Sequence, residues 1–94
     1  MGKKEDIEAT LLRKLYVMGK IGGPHTPFDN LPKGFPPHVR GDVKKVAKEL
    51  IKRGFLKPSR HNYGLGVSLN IEKLKEIEEI LFRAFPELKK QIKS

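Results

Sequence analysis

The residues of this chain best placed to do chemistry are cations. Between positions 38 and 61 stand Arg40, Lys44, Lys45, Lys48, Lys52, Arg53, Lys57 and Arg60, against only Asp42 and Glu49. Eight cations over two acids give this stretch +6 of the whole chain's +9. Such a density does electrostatic rather than covalent work: it sets ammonium and guanidinium groups opposite phosphates. A merely solvated helix would intersperse both signs, as residues 70–84 do, where three cations meet four acids. Around the cations lie three residues with two readings each. Gly41 could let backbone approach a phosphate, or could simply accommodate the neighbouring prolines. Tyr63 could touch a sugar or stack on a base, or pack back on its own hairpin. Asn62 reads as a turn former, and Arg60 as a phosphate contact from the hairpin tip.

Other chemistries find little support. His25, His38 and His61 are separated by 13 and 23 positions, which fits no common zinc-ligand spacing. The absence of cysteine excludes disulfides and thiolate metal sites. No serine, histidine and acid fall into an interpretable catalytic order. Gly64-Leu65-Gly66 lacks the strand-to-helix setting of a phosphate-cradling loop. Glu76, Glu78 and Glu79 lie among opposite charges and read as a solvated helix face. The expectation is therefore a protein that is not an enzyme, with no metal, cofactor or legible effector site. No run of 18 apolar residues occurs, and Lys3-Lys4 is followed by Glu5-Asp6 rather than an apolar stretch. This predicts a soluble, cytoplasmic protein with no membrane partner. Zero cysteine with abundant lysine and glutamate leans towards a thermophile composition.

Ninety-four residues suffice for one small core, so positions 1–94 are read as a single domain, with its core over about 5–85 and a basic tail over 86–94. Ile7, Leu11, Leu15 and Met18 recur at helical spacing and predict a first helix over 5–18, ended by Gly19. Thr26-Pro27-Phe28-Asp29 offers a Thr cap, a proline at the first helical position and an acid three residues after the cap. This predicts a short helix from Pro27 to about Lys33, closed by Gly34. Residues 37–53 form the clearest helix: Val39, Val43, Val46, Ala47 and Leu50 share one face, and Gly41, Lys44, Lys45, Lys48 and Lys52 the other. Phe55-Leu56-Lys57 and Val67-Ser68-Leu69 predict short strands flanking a turn-rich tip over 58–66. Asn70 caps a last helix running to about Phe85, with Leu74, Ile77, Leu81 and Phe85 as its apolar ridge, Ile71 and Phe82 beside it and Ile80 opposite. Pro86 breaks it.

The segment Val39-Arg40-Gly41-Asp42-Val43-Lys44-Lys45-Val46-Ala47-Lys48-Glu49-Leu50-Ile51-Lys52-Arg53-Gly54-Phe55-Leu56, followed by the hairpin Arg60–Gly66, resembles the winged-helix family of helix-turn-helix domains. The likeness spans roughly residues 5–85. It implies an α+β, mainly helical fold: helix, short helix, recognition helix, β-hairpin wing, C-terminal helix. It further implies a recognition helix in the major groove and a wing on the backbone or minor groove. Pro27, Pro32, Pro36 and Pro37 make the corner before the recognition helix unusual for that family.

The residues and the resemblance together predict a nucleic-acid-binding protein, with duplex DNA favoured and a transcriptional regulator or chromatin-associated factor as its setting. Arg40, Gly41, Lys44, Lys45, Lys48, Lys52, Arg60 and Tyr63 are the expected contacts. Two alternatives remain open: a basic RNA- or ribosome-associated protein docking on structured RNA, and a winged-helix module that contacts another protein. Ile80 with Leu88 and Ile92 could also form an apolar patch that joins two copies through the C-terminal helix, presenting two basic faces to a pseudo-palindromic site. Equally, the tail could fold back on the chain's own first helix.

Overall fold

The computed structural model describes residues 4–92, with side chains described for 7–89; Lys3 and the end of the basic tail lie outside the described residues. Helix α1 spans Lys4–Val17. Of the four residues expected on its apolar face, Ile7, Leu11 and Leu15 are buried, joined by Leu12, whereas Met18 lies past the end of the helix and is exposed. The helix stops in a Schellman arrangement, with Lys20 N–H donating to Leu15 O (2.9 Å) and Gly19 N–H to Tyr16 O (3.1 Å). Gly19 takes φ +73°, a left-handed conformation that a Cβ would oppose.

The next segment departs from the sequence expectation. Thr26-Pro27 is not a cap and first helical position but a two-residue strand, β1, pairing antiparallel with Val67 and Gly66. Only a single 3₁₀ turn, Phe28–Asn30, follows, with no side-chain cap, and turns then run to Lys33 and Gly34. Non-local pairing outweighs the local capping pattern, because Thr26 is buried beside the sheet.

A second 3₁₀ turn, Pro37–Val39, leads into α2, Arg40–Lys52. Its proline at the first position has no N–H to leave unpaired. Val43, Val46, Ala47 and Leu50 of α2 are buried, and Val39 before it, as the helical phase requires. A second Schellman arrangement ends α2: Phe55 N–H donates to Leu50 O and Gly54 N–H to Ile51 O, with Gly54 at φ +84°.

Strands β2, Leu56–His61, and β3, Gly64–Leu69, form a longer hairpin than the sequence suggests, because only Asn62-Tyr63 lie outside the paired strands. Pro58 is tolerated because β2 is an edge strand: the sheet order is β1-β3-β2. Val67 and Leu69 face the core, while Gly66 and Ser68 face away from it by alternation. Leu69 is also held by Lys20 and Gly22 through N–H···O bonds of 2.8 and 3.1 Å, which make a short parallel bridge at Ile21.

Asn70 caps the helical segment that follows β3, as expected, its Oδ1 accepting from Glu72 N–H at 3.0 Å. Its Nδ2 donates to Gly54 O at 2.8 Å, so one side chain joins the end of α2 to the start of the next helical segment. That start is a 3₁₀ turn, Ile71–Lys73, before α3, Leu74–Ala84. The 3₁₀ turn advances about 120° per residue rather than 100°. The phase slips, and Ile71 is 63% exposed instead of joining the inward ridge. Ile77 and Leu81 are buried and Ile80 packs against the core, correcting the outward place expected for it. After Pro86, α4 (Glu87–Ile92) brings Leu88 back to the core, where it is 2% exposed. Leu88 thus takes its place against the chain's own body rather than in an exposed patch with Ile80; the side chain of Ile92 lies outside those described. The architecture is a small α+β domain with a three-stranded antiparallel sheet and four α-helices among the described residues. No helix among them is long and apolar enough to cross a membrane.

Candidate nucleic-acid interface

The amphipathic phase of α2 decides which side chains reach solvent. With its valines, Ala47 and Leu50 sealed inside, Arg40, Gly41, Lys44, Lys45, Lys48 and Lys52 are all exposed. Lys45, Lys48 and Lys52 have no ion-pair partner among the described residues, so their charges are available to an external anion. Arg40 donates from Nε to Phe35 O at 3.1 Å, which holds the guanidinium beside the turn preceding the helix. Lys44 Nζ lies 3.5 Å from Asp29 Oδ1, with both side chains well exposed.

The structure brings part of the expected set together. Arg40, Gly41 and Lys44 line one hollow of about 420 Å³ with Asp29, Pro32 and Lys33. A Cβ built on Gly41 would meet nothing within 4 Å. Gly41 therefore leaves an open place beside three cations, and no packing within the chain requires a glycine there. Lys33 is not among the contacts expected from the sequence, because it stands at the end of the short helix expected over 27–33, in a Gly/Pro-rich stretch away from the cation-dense residues 38–61.

Another lysine missed by charge patterning supports this hollow from behind. Lys14 on α1 donates to Asn30 O and Leu31 O, both at 3.2 Å, and to Lys33 O at 2.5 Å. All three protons of its ammonium group are thereby used on the carbonyls of the turn that carries Asp29, Pro32 and Lys33. Burial, and then the charge of Lys33, lower its pKa from the ordinary lysine value. On the other side of α1, Tyr16 donates to Glu78 Oε2 at 2.8 Å, linking α1 to α3. Burial, that hydrogen bond and the charge of Glu78 push the phenol up to about 12.

The hairpin contributes the rest. Alternation along β2 places Arg60, paired with Leu65, on one face of the sheet, and Ser59 and His61 on the other. Arg60 is exposed and lines a hollow of about 340 Å³ with His61, Gly64 and Leu65. Tyr63 is 54% exposed, yet its ring lies parallel to His61 (12°, centroids 4.9 Å apart). Of its two readings, the geometry shows packing on the hairpin, with the outer part of the ring still open. Arg60 and Tyr63 therefore serve different faces of the hairpin.

The arrangement can neutralise a row of phosphates from α2, but among the described residues no group of three or more His, Cys, Asp or Glu could hold a metal. Comparison with models of protein families, with characterised proteins and with solved structures found no match.

Proposed function

We propose that this chain is a winged-helix nucleic-acid-binding domain that acts on duplex DNA inside the cell, as a transcriptional regulator or a chromatin-associated factor. The observation that carries this reading is the outward face of α2. Lys44, Lys45, Lys48 and Lys52 stand exposed on it beside Gly41, and only Lys44 among them meets an acid within the described residues. An α-helix is narrow enough to enter the major groove, and its cations would there face phosphates on either side. The element order supports the same reading: a helix, a short strand, two 3₁₀ turns, the basic helix and a β-hairpin, with the first strand joining the hairpin through β3. In this reading β2 and β3 are the wing, and Arg60 reaches a backbone phosphate from it.

The test is fluorescence anisotropy with labelled duplex DNA, duplex RNA and single strands over a range of salt concentrations. Duplex DNA should bind most tightly, with an affinity that falls steeply as salt rises. Tighter binding of duplex RNA would move the function to structured RNA. Failure to bind any of the three would overturn the reading and leave α2 as a surface for a protein partner.

A further inference from the structure

The hollow at the start of α2 differs from the row of cations along that helix. It opens between the 28–34 turn and the first turn of α2, and its lining joins Lys33, Arg40 and Lys44 to a single acid, Asp29. Three cations against one acid leave the lining at +2. The acid is loosely held. Asp29 Oδ1 lies 3.5 Å from Lys44 Nζ, and the Asp29 side chain is 87% exposed. An exposed pair of this kind contributes little, so an entering anion displaces the carboxylate at small cost. Arg40 uses Nε on Phe35 O, and its two terminal nitrogens make no hydrogen bond among the described residues. Lys33 has no ion-pair partner among them. Between these cations, the missing Cβ of Gly41 leaves open space.

We propose that this hollow binds the phosphate monoester of a nucleotide, carried by a free mononucleotide or by the 5′ end of a strand. Lys33, Arg40 and Lys44 face its oxygens, and Gly41 leaves room for them. Charge selects the monoester. A backbone diester carries one negative charge, whereas a monoester carries about −1.5 to −2 near neutral pH, which matches the lining. Size selects more than a bare phosphate: at about 420 Å³ the hollow falls within the range of about 300–1,000 Å³ usual for small-molecule sites. The wall bearing Lys33 is already ordered. Lys14 spends its ammonium group on the carbonyls of Asn30, Leu31 and Lys33, so binding need not fix that turn at its own expense. The choice of a nucleotide rests on the nucleic-acid reading of α2; the charge and size of the hollow do not.

Two arms test the proposal on the full chain at about pH 7.5, where the monoester is mostly dianionic, and at about 50 mM salt, where screening is weak. In the first, adenosine 5′-monophosphate is titrated calorimetrically beside adenosine and the cyclic 3′,5′-diester. The monoester should bind saturably, the diester more weakly and adenosine not at all. In the second, anisotropy compares a short duplex with 5′-phosphate ends against the same duplex with 5′-hydroxyl ends. Saturable nucleotide binding assigns a free mononucleotide; a preference for phosphorylated ends without it assigns the strand end. Lys33→Ala and Lys44→Ala should each weaken the monoester signal by about tenfold, the worth of one charged hydrogen bond. Gly41→Ala, which fills the open place, should weaken it too. Asp29→Asn should tighten it, and Lys75→Ala, exposed on α3 outside the lining, should leave it unchanged. Equal responses to adenosine and its monophosphate, a signal that survives the combined Lys33→Ala and Lys44→Ala variant, or neither nucleotide binding nor an end preference would overturn the site. The hydroxyl-ended duplex reads the proposed interface by itself, so its binding separates failure of this site from failure of that reading.

Discussion

Reversing two charges in the middle of α2 separates a binding face from a solvated one. Lys45→Glu with Lys48→Glu alters two exposed side chains that have no ion-pair partner among the described residues and lie on the helix face opposite the buried Val43, Val46, Ala47 and Leu50. The candidate cations are Arg40, Lys44, Lys45, Lys48, Lys52 and Arg60. If each neutralises one phosphate, log K should fall against log salt with a slope of about −5.4. Without two of them the slope becomes about −3.6, and counterion release alone removes about sixtyfold in affinity at about 0.1 M salt. Raising salt from about 50 to about 200 mM should then cost the parent about 2000-fold and the variant about 150-fold. Stability should hardly move. The new carboxylate at 45 faces Glu49 one turn on, which is unfavourable, while that at 48 faces Lys44 and Lys52, which is favourable; each such pair is worth about 0.2–0.5 kcal/mol. The assays are anisotropy titrations at several salt concentrations and thermal melts of both proteins. An unchanged slope and affinity with an unchanged melt would refute the assignment of α2 as the interface.

Gly41→Ala adds a Cβ in open space and should raise stability by up to about 1 kcal/mol through helix propensity. If the backbone at 41 approaches a phosphate, affinity falls despite the higher melting temperature; unaltered affinity removes that contact. Tyr16→Phe deletes the hydrogen bond to Glu78 and should cost about 1 kcal/mol, or about 4–8 °C in Tm for a domain of this size. The Tyr16 phenol is held up at about 12, above its value of about 10 in an unfolded chain. Its contribution is therefore complete below about pH 10 and is lost as pH rises towards 12. Tyrosinate absorbance should show Tyr16 titrating late, and a Tyr16 that titrates near 10 would contradict the Tyr16–Glu78 bond.

The sequence made some parts of this molecule legible and hid others for identifiable reasons. The two faces of α2 follow directly from the spacing of Val39, Val43, Val46 and Leu50, since a regular helix keeps phase over its length. Asn70 as a cap was equally readable, because its partner Glu72 lies two residues away. Thr26-Pro27 misled because a local capping pattern competes with a strand partner 41 positions distant at Val67. Pro58, Gly64 and Gly66 resemble turn residues, yet an edge strand admits the proline, and the His61 and Tyr63 rings lie where a Cβ at 66 would fall. Ile71 was misplaced by one 3₁₀ turn. In the candidate interface, the cations of α2 were visible from charge alone. The roles of Asp29, Lys33 and Lys14 were not, because they depend on how the 28–34 turn folds against α1 and α2, and spacing along the chain does not encode that.

The pairing of β1 with β3 has a consequence for how the molecule assembles in time. Strands β2 and β3 are joined by a two-residue reversal, and such a hairpin closes on the microsecond scale. Thr26 and Val67 meet only after the intervening α2 and hairpin have been gathered in, so closing that loop gains its hydrogen bonds late. The short first strand should behave as a latch set after the barrier rather than as part of the nucleus. Thr26→Ala should then speed unfolding while leaving the folding rate nearly unchanged in a stopped-flow chevron, whereas a slowed folding arm accounting for the whole stability loss would put the latch inside the transition state.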